Sequence, residues 1–297
     1  MMTRNAVVRY NWLKSKIDYF DNGRRIGMCF EATAANERKT YIEAFLKTAQ
    51  RELAPYSESI GLVIYSPVDT LAPNPVAFWG FNPGQDPKVT DPTHWTIAEA
   101  LSRFPTQTES LLMQVWPDAR GGTRDEREKR VYCRAFPAGG APYQRGIRHL
   151  LSAIRRSRQG TNFPEPLVTN FLFLQTASAE EAGAMRNIGD IVQRCWRVHE
   201  AIFGIAQPRV LITSANVLEY VRRFTLMPLK PTNESIHSGY SNWCCKKWET
   251  VVKHGGMTVL QVPHMSYWGG CIERERSQEA VAWIEKMVRK AMTEHGA

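Results

Sequence analysis

Short apolar runs bounded by turn residues alternate along this chain with longer amphipathic stretches, and that alternation leaves few folds open. The runs at 61–65 (GLVIY), 75–81 (PVAFWGF), 167–173 (LVTNFLF) and 209–213 (RVLIT) have the length and enclosure of buried strands. Residues 34–54 place Tyr41, Ile42, Phe45, Leu46 and Ala49 on one stripe at helical spacing. Further helices are predicted near 95–103, 107–115, 143–157, 179–203, 216–224 and 275–293. Residues 247–252 and 257–262 flank His254-Gly255-Gly256, which predicts a hairpin or a strand pair. Strands that alternate with helices predict an α/β fold: three layers, α/β/α, on a mostly parallel central sheet. No repeat, low-complexity tract or linker divides the chain. Residues 1–297 are therefore expected to form one domain with a helical elaboration over about 1–58. The charged segment 118–130 (DARGGTRDEREKR) reads as an exposed loop or insertion.

Composition narrows the class of partner. The formal net charge is +9, which suits a polyanion, because lysine and arginine displace counterions from phosphates. A basic protein with no nucleic-acid role has the same balance. Cys29, Cys133, Cys195, Cys244, Cys245 and Cys271 contain no C-x-x-C pair, and adjacent Cys244-Cys245 is poor geometry for one metal. Neither disulfides nor a zinc site is expected, and no metal or cofactor. There is no apolar run long enough for a membrane span and no apolar leader near Met1, so a cytoplasmic protein is expected.

The sharpest local feature is Gly80-Phe81-Asn82-Pro83-Gly84, directly after the predicted strand that ends in Phe78-Trp79. Functional groups in α/β sheets gather at the carboxyl ends of strands, and glycines there let a ligand approach the backbone. The same residue types also make plain turns. Two further segments stand at predicted strand ends: Thr169-Asn170, and Val262-Pro263-His264-Met265-Ser266-Tyr267-Trp268. Residues 139–151 (GGAPYQRGIRHLL) precede the third strand.

In that order these segments resemble the uracil-DNA glycosylase superfamily, over about residues 60–290. GFNPG is similar to its G-x-N-P-G signature, Thr169-Asn170 to its base-reading strand, and His264-x-Ser266 to its closing loop. The resemblance implies that Asn82 positions the attacking water and that Asn170 reads a flipped base beside Gly80 and Phe81. His264 would support the leaving base, and Tyr143 would stack on it. Gly84 and Ser266 would lie on the phosphate side. Gly84-Gln85-Asp86-Pro87 also matches a G-Q-D-P pattern of the main uracil enzymes, so Asp86 is a second candidate for the water. An amide can only orient water, whereas a carboxylate can also take a proton. Met265 departs from the proline usual at its position.

Tyr267 and Trp268 could wedge into the gap that a flipped base leaves, or simply pack beside the loop. Arg145, with Arg148, Arg155, Arg156 and Arg158, could line a DNA path or form a solvated helix face. The expected activity is a DNA glycosylase that hydrolyses the N-glycosidic bond of a non-standard pyrimidine and leaves an abasic site. The base would be uracil or a bulky modified cytosine such as phage DNA carries. No lysine stands in a nucleophile motif, so simple hydrolysis is expected. DNA, duplex or single-stranded, is the expected partner, with no membrane. The alternatives are a non-catalytic nucleic-acid-binding module of the same fold and an unrelated α/β nucleotide hydrolase. The latter lacks a P-loop and a G-x-G-x-x-G.

Overall fold

The structure is a computed structural model that describes residues 25–81, 95–113, 116–117, 135–136, 140–156, 165–176, 179–252, 255–269 and 271–294. The expected loop at 118–130 lies outside them. The chain divides into two compact units, Met1–Thr40 and Tyr41–Ala297. The first helix among the described residues, α1 (Arg25–Leu53), contains residues of both.

The elements that follow are β1 (Val76–Gly80), α2 (Ile97–Arg103), β2 (Trp116–Pro117), β3 (Ala135–Phe136), α3 (Pro142–Arg156) and β4 (Leu167–Asn170). Then come α4 (Ala179–Ala184), α5 (Ile188–Ala206), β5 (Val210–Ser214), α6 (Ala215–Phe224), β6 (Lys230–His237), β7 (Cys244–Val252), β8 (Gly255–Val262), α7 (Met265–Trp268) and α8 (Glu275–Glu294). The main sheet has six strands in the order β4-β1-β5-β8-β7-β6. β4, β1, β5 and β8 are parallel, and β7 and β6 continue the sheet antiparallel. Strand alternation sorts the core into two clusters. Ala77, Trp79, Leu167, Leu211 and Val259 share one with Phe45, Ala49 and Leu53 of α1 and with the buried faces of α5 and α6. Val76, Phe78, Val168, Ile212 and Leu260 share the other with α3 and α8. The fold is α/β on a mostly parallel sheet with helices against both faces. No helix among the described residues is long and apolar enough to cross a membrane.

Several elements depart from the sequence expectation, each for a local reason. Residues 61–65 form no strand, only isolated bridges, Gly61 to Leu174 and Ile64 to Thr169. Between them the Thr169 hydroxyl donates to the Val63 carbonyl, so a side chain replaces a ladder bond. β4 stops at Asn170 rather than 173, because the Phe171 and Leu172 amides turn to the carbonyls of Gly80 and Phe81 (2.8 Å each). Of the helix predicted at 107–115, the described residues 107–113 form only one turn, at Leu111–Met113. The Leu111 amide donates to the Tyr65 carbonyl and the Gln107 side chain to the Ser66 carbonyl, and this tertiary pairing replaces helical bonds. The helix predicted at 179–203 breaks at Met185–Asn187 into α4 and α5. β6 was not anticipated: its sequence, KPTNESIH, lacks apolar alternation. As the edge strand, with Pro231 and an irregular register, it needs none.

Candidate active site

In an open parallel sheet the ligand crevice lies outside the carboxyl ends of the strands, where successive connections leave in opposite directions. The chain leaving β1 runs outward to β4, and the chain leaving β5 runs the other way to β8. The crevice therefore falls between β1 and β5. The segments that close these strands are Gly80 at the end of β1 with Phe81 after it, Asn170 on β4, Ser214 on β5 and Pro263-His264 after β8.

Gly80 and Asn170 are register partners across the parallel pair. A Cβ on Gly80 would collide with the Asn170 amide oxygen and with the Tyr143 hydroxyl, so only glycine fits beneath these two groups. The Asn170 amide nitrogen donates to the Tyr65 hydroxyl at 2.8 Å, and both residues are buried. That bond sets the amide orientation: nitrogen toward Tyr65, oxygen over Gly80. Burial pushes the Tyr65 hydroxyl up from its ordinary value of 10.0. Burial, and then the charge a Tyr65 phenolate would carry, do the same for Tyr143. Both phenols are protonated at neutral pH and act as donors as well as acceptors.

Tyr143 stands in the first turn of α3, a helix that opens on Pro142, where the missing amide proton costs nothing. Gly146, one turn on, lies against the backbone of Gly269, so α3 sits hard against the segment carrying His264. The rings of Tyr143 and His264 are 6.0 Å apart, centroid to centroid. Burial holds the His264 imidazole below its ordinary 6.5, because desolvation penalises the cation, so it is neutral at pH 7. Beyond it the ring of Tyr267 lies 5.8 Å away and is 60% exposed.

Sequence reasoning missed three contributors. Tyr65 stood at the end of an apolar run read as core. Its hydroxyl was the available signal, since a buried phenol needs a polar partner. Ser214 ends β5 and caps α6, a helix of ten residues, but its hydroxyl makes no cap bond. That oxygen is buried and has no partner among the described residues. A helix N-terminus with an unpartnered hydroxyl suits an anion. The strand-end rule that singled out GFNPG also applies to Thr213-Ser214. His199 is fully buried on α5, with Nε2 3.0 Å from the Phe171 carbonyl, one residue past Asn170. Desolvation lowers it to about 4.

The structure thus brings Gly80, Asn170, Tyr143 and His264 together. Phe81 instead packs into the core, its ring edge-on to Tyr220 at 5.0 Å. Trp268 is a correction to the wedge expectation, since it is wholly buried. Its indole N–H contacts the Ser238 carbonyl (3.1 Å) and the Ser277 hydroxyl (3.3 Å). Arg145 is exposed on α3. Ser266 lies within α7, and its side chain is outside the description. Asn82, Gly84 and Asp86 lie outside the described residues. No cluster of His, Cys, Asp and Glu able to hold a metal occurs among the described residues. Compared with protein-family models the chain matches none, and no curated protein matches it.

Proposed function

We propose that this protein is a DNA glycosylase of the uracil-DNA glycosylase type, which hydrolyses the N-glycosidic bond of a flipped-out pyrimidine. One observation carries the reading. A fixed amide and a phenol meet over a glycine floor at the switch point of a parallel sheet, and an imidazole held neutral lies 6.0 Å from the phenol ring. Asn170, with its amide locked by Tyr65, reads the base edge, and Tyr143 lies against the base. The close approach of both groups over Gly80 suits a flat, unsubstituted pyrimidine, which favours uracil over a bulky modified cytosine. The C1′–N1 bond breaks with its electron pair going to the base. His264 donates a hydrogen bond to the base oxygen on which that charge accumulates. A preorganised donor of this kind contributes about 3–4 kcal/mol. Water adds its hydroxyl to C1′ and its proton leaves to the base or to solvent, with Asn82 or Asp86 as the group that holds it. The Ser214 hydroxyl and the α6 N-terminus receive a backbone phosphate, as the net charge of +9 favours.

The test is base release from labelled oligonucleotides carrying uracil opposite guanine or in single strands, and from phage DNA with hydroxymethylated or glucosylated cytosine. Release of free uracil with an alkali-labile strand is expected, lowered at least a hundredfold in His264→Ala and strongly in Asn170→Ala. Release from the modified phage DNA alone would replace uracil with a bulky cytosine. DNA binding with no base released from any substrate would overturn the enzyme reading in favour of a non-catalytic module.

A further inference from the structure

The aromatic series does not stop at His264. Tyr267 lies 6.0 Å from Trp243, ring planes at 81°, and Trp243 lies 5.8 Å from Tyr240 at 82°. Trp243 belongs to the turn between β6 and β7, remote in sequence from every segment of the candidate site. It is 40% exposed, and with Tyr267, Leu226 and Val251 it is one of only four exposed large apolar side chains among the described residues. A single exposed apolar side chain is ordinary, but Trp243 and Tyr267 touch and make a contiguous aromatic patch, the kind of surface that marks an interaction site. The turn is firmly built. The Ser238 amide donates to the Trp243 carbonyl (2.9 Å) and the Trp243 amide to the Tyr240 carbonyl (3.2 Å). The Ser238 hydroxyl bonds the Tyr240 backbone, and His237 Nε2 lies 2.7 Å from the Ser241 carbonyl. Buried Trp268 then ties the Ser238 carbonyl to α7, which fixes the turn to the loop that carries His264. Trp268 is thus the staple of this ledge and not its contact surface.

We infer that the exposed face of Trp243, with the Tyr267 ring standing nearly perpendicular beside it, forms a stacking platform for an unpaired base of the DNA strand, next to the nucleotide held at Asn170 and His264. The inference rests on the glycosylase reading for the identity of the strand. A rigid aromatic face accepts any base, because every base has a π-face, and it loses little conformational freedom on binding. A base in a duplex already stacks on its neighbours and gains less from the ledge. The platform therefore favours single-stranded or locally opened DNA.

The test uses the full-length protein and fluorescein-labelled oligonucleotides whose target nucleotide is a non-cleavable 2′-fluoro-deoxyuridine, single-stranded or fully paired. Trp243→Ala is expected to weaken single-strand binding about tenfold, while Trp243→Phe, which keeps a ring, stays within about threefold of wild type. A tetrahydrofuran abasic residue on one side of the target should weaken wild-type binding by a similar factor. Trp243→Ala should add nothing further on that oligonucleotide. The inference is overturned if Trp243→Ala binds single strands like wild type. It is equally overturned if the loss persists undiminished with the abasic residue on either side, or is as large on the duplex. The two readings fail separately. A tenfold binding loss without any base release would sink the enzyme and leave the platform. Normal uracil release with unchanged binding in Trp243→Ala would do the reverse.

Discussion

Tyr65→Phe removes a single oxygen and tests how the site is held. In the native protein that hydroxyl accepts the Asn170 amide proton at 2.8 Å, and Tyr65 and Asn170 are only 6% and 2% exposed. Phenylalanine fills the same space but leaves a buried N–H without this acceptor. An abandoned buried donor costs about 1–3 kcal/mol, more than the bond itself contributes. For a domain of this size that corresponds to a fall in Tm of about 2–6 °C. The cost should also be conditional. In an Asn170→Ala background the donor is gone, so adding Tyr65→Phe should destabilise by at least about 1 kcal/mol less than it does alone. Urea unfolding of wild type, both single variants and the double variant gives the coupling directly. Strict additivity, within about 0.3 kcal/mol, would refute the claim that Tyr65 holds the amide. In the glycosylase assay Tyr65→Phe should lower base release and narrow the preference for uracil over cytosine, because the amide can then present either end.

Gly80→Ala should unfold more readily by about 1–3 kcal/mol and lose base release, since the new methyl meets the Tyr143 hydroxyl and the Asn170 amide, the latter held from behind by Tyr65. Wild-type stability in urea would show that the floor has room. His199, lowered from 6.5 to about 4, binds its proton in the unfolded chain before it does so in the folded one. Its contribution is complete above pH 6.5 and is lost as pH falls to 4, about 3 kcal/mol in all. His199→Gln should therefore lose less stability than wild type between those pH values, and parallel pH–stability curves would discount the buried imidazole. Ser214→Ala should leave stability within about 0.5 kcal/mol of wild type, because its hydroxyl has no partner among the described residues. It should weaken DNA binding, and unchanged affinity would remove Ser214 from the phosphate contact.

How much of this was legible in the sequence depends on how regular each segment is. Pro75–Phe81 and 209–213 anticipate β1 and β5 to within a residue or two, because a continuous apolar run in an α/β pattern has only the buried sheet to enter. The helices at 142–156 and 275–294 were equally plain from their periodicity. β6 escaped because an edge strand exposed along most of its length carries no apolar signature. The sequence leaves Tyr267 and Trp268 open between a wedge and packing beside the loop, because adjacent aromatics look alike there, and only the structure shows the Trp268 ring turned inward to Ser238. Of the candidate site, Gly80 is singled out by the rule that strand ends carry chemistry, and Asn170 and His264 by the resemblance to a superfamily pattern whose members fall at predicted strand ends. Ser214 ends β5 and so satisfies the strand-end rule, but it carries no motif of that pattern.

Tyr65 shows what such rules miss. A regular strand at 61–65 would offer only ladder bonds to β4 and alternate its side chains across the sheet. The real segment touches β4 through one isolated bridge, Ile64 to Thr169, with the Thr169 hydroxyl in place of a ladder bond and the Tyr65 amide on the Val168 carbonyl at 2.8 Å. That broken pairing delivers the Tyr65 hydroxyl to the Asn170 side chain, two residues beyond its own backbone anchor. The locking hydroxyl thus comes from the point where the predicted strand fails to form, the kind of local inconsistency that folded proteins keep at sites of function.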